Sequence, residues 1–398
     1  KDLEVNAQHL AIERFLDYEN YFKELMVKHE YPLNAMAHAI FDKYNINDFQ
    51  GDLFKKKNKP NPVFFNEFTK VDSINPILNP SSILQFTDPI TGVLAKWEER
   101  NVLNPTAVVK DDKVYLMYRA QDLNGTSRIG MAISEDGLHF KKMEEPILFP
   151  DNDDMKVYEW NYKKSEAEQT NSEDCYFCYF DGVEDPRVVQ SNTGEYFMTY
   201  TAYDGKTARL SLASSKDLKT WTKHGLVLKD EKYKDLWSKA GAIVSKLEGH
   251  KMVATQINGK YWMYFGDTNL FMATSTDLIH WEIAINEESK KPISVLHPRM
   301  GYFDSRLVEP GPYAILKEEG ILLFYNVSNA SNFNDPLLPQ YTYAAGQALF
   351  DKTKPYKLID RTKSYFIHPD KDYEKIGEVN EVCFVEGLVF FKNKWFLY

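Results

Sequence analysis

An internal repeat limits this chain more than any other feature of its sequence. Five stretches between Asn101 and Tyr398 each join a short strand, a turn and a second strand rich in aromatics. They read NPTAVVKDDKVYLMYRAQD; EDPRVVQSNTGEYFMTYTAYD; KAGAIVS followed, after an insertion, by INGKYWMYFGDTN; EPGPYAILKEEGILLFYNVSN; and NEVCFVEGLVFFKNKWFLY. The second strands end in Tyr118, Tyr200, Tyr264, Tyr325 and Tyr398, at steps of 82, 64, 61 and 73 residues. Three of them are followed by a further strand and an acidic turn: RIGMAISEDGLHF, RLSLASSKDLKTW and NLFMATSTDLIHW. Units of three or four strands, repeated five times, predict an all-β fold, a five-bladed β-propeller. Solenoid repeats are shorter and more regular. The turn acids Asp136, Asp217 and Asp277 read as structural, because an aspartate at such a turn accepts nearby backbone N–H groups.

The segment ahead of the repeat is different. Ala7, Ala11, Phe15, Tyr18, Phe22 and Leu25 mark one helical face, Pro32 breaks it, and Leu33, Met36, Ala37, Ile40 and Phe41 begin a second helix. Residues 1–100 are therefore expected to form a helical hairpin and an aperiodic wrapping segment, and residues 101–398 the propeller. A net charge of −10 argues against nucleic acid as a partner. No apolar run reaches the ~18 residues of a membrane span. Cys175 and Cys178 form a lone C-x-x-C with no second pair or nearby histidine, which speaks against zinc. The nine histidines show no metal spacing, and no metal or cofactor is expected. Position 1 is Lys, not Met. The compartment stays open: periplasmic or secreted if a leader was removed, otherwise cytoplasmic.

In a propeller the ligand site lies at one mouth of the central channel. The strand starts supply Asn104, Asp185, Lys239, Glu309 and Glu381 to that mouth, and the ends of the second strands supply Arg119, Asp204, Asp267 and Asn326. A purely structural repeat would place the same residue type at equivalent positions. Here the positions differ from copy to copy and are polar, as a binding site requires. Convergent carboxylates suit glycoside hydrolysis, which needs one acid to protonate the leaving oxygen and a second carboxyl group as base or nucleophile. Crowding drives their pKa values apart. Arg119 and Arg187 can grip hydroxyls or a carboxylate, and Tyr203, Trp262 and Tyr302 can stack on a pyranose ring.

The stretches NPTAVV, MYRAQD, GVEDPRVV, MTYTAYDG, KAGAIV, FDSRLVEPGP, AGQALFD and YEKIGEV resemble glycoside hydrolase family 130, the β-mannoside phosphorylases and β-mannosidases. The resemblance implies that Asp185 is the proton donor, acting through a hydroxyl of the mannose. It implies substrate contacts from Asp304 and Arg306 in FDSRLVEPGP. Phosphorylases of this kind bind phosphate with basic residues, including a histidine in a YHG motif. This chain keeps Arg119, Arg187 and Lys239 but reads Tyr325-Asn326-Val327 in place of YHG, and Glu309 stands where a small residue is usual. A carboxylate there would repel a dianion and could activate water instead. The resemblance thus points to an inverting β-mannosidase acting on mannose-containing oligosaccharides, with β-1,2 bonds the expected linkage. Asp185 is then the acid and Glu309, helped by Asp267, the base. Direct inversion would set the carboxyl groups ~6.5–9.5 Å apart. Phosphorolysis and a non-catalytic glycan-binding propeller are the alternatives.

Overall fold

A tyrosine and a carboxylate recur through the interior and explain much of the repeat. The structure is a computed structural model that describes residues 61–66, 68–164 and 179–398. The expected helical hairpin and the Cys175–Cys178 pair lie outside the described residues. The fold is nearly all β. Among the described residues, the helices are α1 (Lys156–Glu159) and α2 (Asp372–Lys375).

A short hairpin, β1 (Phe86–Thr87) with β2 (Leu94–Ala95), precedes five antiparallel units. The first unit is β3 (Asn101–Lys110), β4 (Lys113–Gln121), β5 (Thr126–Ser134) and β6 (Lys141–Lys142). The second is β7 (Asp181–Gln190), β8 (Tyr196–Tyr203), β9 (Ala208–Ser215) and β10 (Thr222–Leu226). In the third, β11 (Ala242–Glu248) pairs with β12 (Lys251–Ala254) and with β13 (Tyr261–Phe265). Next come β14 (Leu270–Ser275), β15 (Trp281–Ile283) and β16 (Ser294–Leu296). In the fourth, β17 (Leu307–Pro310) and β18 (Ala314–Leu316) share the partner β19 (Ile321–Ser328), followed by β20 (Tyr343–Phe350) and β21 (Leu358–Arg361). The fifth is the hairpin β22 (Leu388–Phe391) with β23 (Lys394–Leu397). Neighbouring units touch through parallel bridges, Thr126 with Asp181 and Val244 with Ala314.

The apolar core lies in layers between neighbouring units. Met117, Ile129 and Met131 of the first meet Val183, Val188 and Met198 of the second. Val244 and Met272 of the third meet Val308, Leu323 and Ala348 of the fourth. Ala107 and Leu116 of the first meet Val389 and Phe391 of the fifth. Burial of this kind contributes about 25 cal/mol per Å² of apolar surface. It holds the units side by side.

Tyr118, Tyr200, Tyr264 and Tyr325 are fully buried and Tyr398 is half-buried, and each hydroxyl donates a hydrogen bond. Tyr118 donates to Glu98 at 2.8 Å, Tyr200 to Glu159 at 2.8 Å and Tyr325 to Asp304 at 3.0 Å. Each of these carboxylates is in turn neutralised, by Lys142, by Lys223, and by Arg299 with Arg361. Tyr264 donates to the Pro355 carbonyl at 2.7 Å and Tyr398 to the Gly137 carbonyl at 2.7 Å. A buried phenol needs such a partner. Gly130 opposes Tyr118 because a Cβ there would come within 2.6 Å of the ring. The turn acids serve their loops: Asp136 accepts the Leu138 and His139 amides, Asp217 those of Lys219 and Thr220, and Asp277 those of Ile279 and His280. The Thr220 and Lys219 amides hold Asp217 down at about 2.

Candidate active site

Two of the candidate side chains are placed by kinks in β3 and β7. In β3 the pairing register slips between Leu103 and Pro105, and in β7 between Glu184 and Arg187. The residues at these bulges are left-handed, with φ of 48° at Asn104 and 48° at Asp185. Asn and Asp tolerate this conformation better than most residues. A bulge re-aims its side chain out of the alternation of the strand. Here it turns Asn104 and Asp185 towards each other, and Asn104 Nδ2 donates to Asp185 Oδ1 at 2.7 Å.

Around Asp185 a buried charge cluster assembles from residues in or just ahead of all five units. Arg119 Nη2 donates to Glu184 at 2.6 Å, and its Nη1 lies 3.4 Å from Asp185. Lys239 Nζ sits 3.6 Å from Asp185 and 3.4 Å from Glu309. Arg187 Nη2 donates to Glu386 at 2.8 Å and lies 3.8 Å from Glu309. One carboxylate oxygen each from Asp185, Glu309 and Glu386 lie within 4.8 Å of one another. All three residues are at most 2 % exposed.

Electrostatics separate these acids. Burial would raise Asp185, but Arg119, Lys239 and Arg187 and the Asn104 hydrogen bond outweigh it and hold it at about 2. Burial pushes Glu309 up to about 7, against Lys239 and with help from Asp267. Burial likewise lifts Glu184 to about 7 against Arg119 and Glu386 to about 8 against Arg187. Burial works against the charge of Lys239, yet Glu309 and Asp185 raise its pKa well above the ordinary lysine value. One oxygen of Glu309 and one of Glu386 are buried without a hydrogen bond. Three carboxylates at this spacing could hold a cation. Arg187 and Lys239 already supply positive charge to the same carboxylates, so a metal ion would compete with them.

The other sequence candidates divide. Arg187 joins the cluster as a tie: Nε donates to the Gly311 carbonyl at 2.8 Å, Nη1 to that of Asp185 at 3.1 Å and Nη2 to that of Pro310 at 2.9 Å. Asn326 holds the backbone of Val385 from both sides, donating to its carbonyl at 3.0 Å and accepting its amide at 2.7 Å. Asp267 stands at the edge, where it accepts Trp237 Nε1 at 3.3 Å and Thr268 Oγ1 at 3.1 Å. Arg306, half-buried ahead of β17, lies over the Tyr341 ring at 5.3 Å.

Three residues expected to contact substrate have protein partners outside the charge cluster. Asp304 is fully buried against Tyr325, Arg299 and Arg361, where it serves as the fourth unit's tyrosine partner. Asp204 accepts the Lys206 and Thr207 amides at 2.8 Å each and pairs with Arg209, closing a turn. Glu381 lies on a segment whose backbone pairs with Tyr343, and the charge cluster draws on Glu386 instead. The register explains the last error. Pro105 faces Tyr118, Pro310 faces Tyr325, and Gly387 is hydrogen-bonded to Tyr398 in both directions. The residues just before them are Asn104, Glu309 and Glu386. Counting back from the closing tyrosine would have found V-E-G beside E-P-G.

Of the aromatics expected to stack on sugar, Trp262 donates to the Ile257 carbonyl and packs on Tyr356, and Arg299 covers Tyr302. Tyr203 meets Trp237 edge-on at 6.3 Å, and Trp237 is 48 % exposed beside Asp267. A cavity of about 870 Å³ opens elsewhere, beside β23, lined by Phe65, Phe68, Leu103, Trp395 and Phe396 among others. None of the clustered carboxylates lines it.

Comparison with known proteins places this geometry. The profile of glycoside hydrolase family 130, described as β-1,4-mannooligosaccharide phosphorylase, matches residues 72–398. A 1,2-β-oligomannan phosphorylase from Thermoanaerobacter sp. (strain X514) is 29 % identical over 303 residues, covering 73 % of this chain and 83 % of that protein. A solved structure of a putative glycosidase from Bacteroides thetaiotaomicron is 42 % identical with a TM-score of 0.75, covering 82 % of this chain and 91 % of that one. Another, 38 % identical with a TM-score of 0.79, covers 86 % of this chain and 93 % of that one. It is described as a GH130 family of mannoside phosphorylases that contains glycoside hydrolases targeting β-1,2 mannosidic linkages in Candida mannan.

Proposed function

This chain belongs to glycoside hydrolase family 130, and we propose on that premise that it cleaves β-1,2-linked mannosides with inversion, using water as the acceptor. With it we propose that the five antiparallel units are the blades of a five-bladed propeller, and that the charge cluster lies at the mouth of its central channel. The observation that carries the choice of water is charge balance. Each cation of the cluster, Arg119, Arg187 and Lys239, is within 3.8 Å of at least two carboxylates. A phosphate dianion would have to displace these partners and face the charged Asp185, a like charge that costs about 4 kcal/mol at an intermediate dielectric, with Glu309 and Glu386 adding to the repulsion as they ionise at about 7 and about 8.

The roles follow from the electrostatics. Glu309, with a pKa near 7, is suited to take a proton from water, and Asp267 stands beside it. Asp185 is the donor, but its approach to Glu309 falls short of the ~6.5–9.5 Å that direct inversion needs. That spacing favours delivery of the proton through a sugar hydroxyl: Asp185 in its protonated form gives its proton to the hydroxyl oxygen as the hydroxyl passes its own to the leaving oxygen, and Asp185 is left as the carboxylate that Arg119, Lys239 and Arg187 stabilise. Trp237, exposed and held by Asp267, offers an apolar face to the neighbouring sugar.

Phosphorolysis is the second reading, and the curated relatives support it better than hydrolysis, since they are named as phosphorylases. The observation in this structure that favours it is the convergence of Arg119 and Lys239 on Asp185. Incubating β-1,2-mannobiose with and without inorganic phosphate decides between them. Hydrolysis releases α-mannose without phosphate. Strict phosphate dependence, with α-mannose 1-phosphate as product, would overturn the first reading.

A further inference from the structure

We propose that Glu386 is the residue that makes this site refuse a phosphate-like dianion, by capturing Arg187 and presenting a carboxylate beside Glu309. This rests on the hydrolytic reading above and adds a residue that the sequence repeat had concealed.

The placement of Glu386 is built in layers. Asn326 grips both backbone groups of Val385, which fixes the next residue. Gly387 follows and pairs with Tyr398, so the side chain of Glu386 has one way to go. It is 0 % exposed, and Oε1 accepts Arg187 Nη2 at 2.8 Å. The remaining bonds of Arg187 run to the carbonyls of Gly311, Asp185 and Pro310. A guanidinium held this way has no two-pronged face left for an anion, although arginine is otherwise the preferred phosphate ligand. The second oxygen, Oε2, is buried without a hydrogen bond. The charged groups facing Glu386 are Arg187, Asp185, Glu309 and Lys239. Its pKa, lifted by burial to about 8, makes the repulsive part of the barrier pH-dependent, whereas the capture of Arg187 is present in either protonation state.

The test uses the full chain, β-1,2-mannobiose as substrate, sulfate as an anion that stays doubly charged across the range, and phosphate as the reacting anion. In the wild type, sulfate inhibition is expected to be weak, and weaker at about pH 9 than at about pH 7, because Glu386 loses its proton between them. Glu386→Gln keeps an acceptor for Arg187 and removes the charge. Its sulfate inhibition constant is expected to fall by about tenfold or more at the higher pH and to lose most of its pH dependence. With phosphate this variant is expected to release some α-mannose 1-phosphate. Glu386→Asp should retain much of the wild-type indifference. Asn326→Ser, which loosens Val385 and so lets the Glu386 side chain shift away from Arg187, should shift sulfate sensitivity in the same direction, and it carries the test if Glu386→Gln does not fold. Variants that hydrolyse mannobiose but are no more sensitive to sulfate than the wild type would overturn this role and leave hydrolysis standing. A wild type that needs phosphate would overturn the hydrolytic reading, and this role with it.

Discussion

Replacing Asp185 by asparagine separates the chemistry of this residue from its place in the fold. The native backbone there is left-handed, with φ of 48°, a conformation asparagine also tolerates. The variant can still accept the Asn104 hydrogen bond, now 2.7 Å. No cation is stranded: Arg119 keeps Glu184 at 2.6 Å, and Lys239 keeps Glu309 at 3.4 Å. The stability loss should therefore be about 1–2 kcal/mol, well under the ~3–5 kcal/mol for leaving a buried charge unpaired. Alanine at the same position should cost roughly 1–2 kcal/mol more, from left-handed strain alone.

The effect on catalysis should be larger and should depend on the leaving group. A positioned acid contributes roughly 10²–10⁴ in rate, or about 3–5 kcal/mol, when the leaving oxygen needs a proton. On mannobiose, Asp185→Asn should lose kcat in that range with little change in KM. On an aryl β-mannoside whose phenolate departs without protonation, most of the loss should vanish. Steady-state kinetics on both substrates, beside thermal unfolding of the same preparations, make the comparison. Equal losses on the two substrates would refute a donor role, and a melting temperature far below that of the wild type would refute the account of the local packing.

Three further outcomes follow from the same contacts. Hydrolysis needs Glu309 ionised and Asp185 protonated; with Glu309 lifted by burial to about 7 and Asp185 held at about 2, the fraction in that state is level below about 7 and falls above it, so kcat/KM on mannobiose should be flat from about pH 4 to 6 and decline above about 7; a rise through pH 7 to a plateau would refute this pairing of acid and base. Trp237→Ala should raise KM for mannobiose several-fold, about 1 kcal/mol of lost ring contact, with the melting temperature unchanged because the indole is 48 % exposed. Asp304→Asn should behave in the opposite way, since it disturbs the buried pairing with Arg299 and Arg361: a loss of about 3–5 kcal/mol in denaturant unfolding, with KM near that of the wild type in the folded fraction.

The strands were legible because each copy carries its own signal. An aromatic-rich second strand, a turn and a closing tyrosine can be matched without knowing where the units sit in space. The acids on those strands were legible only where the register was right. Asp185 and Glu309 lie directly beside a proline or a glycine at a strand start, and the alignment found them. In the fifth copy the longer lead-in NEVCF drew the alignment five residues early, to Glu381, and Glu386 was missed. Asp304 misled for another reason. A buried carboxylate that serves a tyrosine and one that serves a substrate are the same letter, and only the approach of Arg299 and Arg361 from distant parts of the chain tells them apart. The acid–base distance was equally out of reach, because it depends on how far the bulge at Asp185 turns its side chain towards Glu309, which sits in a regular register.

The bulges explain why a repeat could become a site at all. A strand in regular alternation sends each side chain to one face or the other, so a residue at the start of an inner strand would point into a layer between units. In β3 and β7 the register slip frees one position from that rule, and the left-handed backbone at Asn104 and Asp185 is its mark. Ala240, beside Lys239, has the same mark at 58°. Packing between units, which depends on residues such as Val183, Val188 and Val308, does not constrain these positions. They can differ from copy to copy while the tyrosine ladder behind them stays fixed, and that is how Asn, Asp, Lys and Glu come to occupy comparable places. The strain at each bulge, of order 1 kcal/mol or more, persists because the ion pairs and the hydrogen bond of the charge cluster hold it in place. Releasing those contacts should relax the bulges before it loosens the sheets.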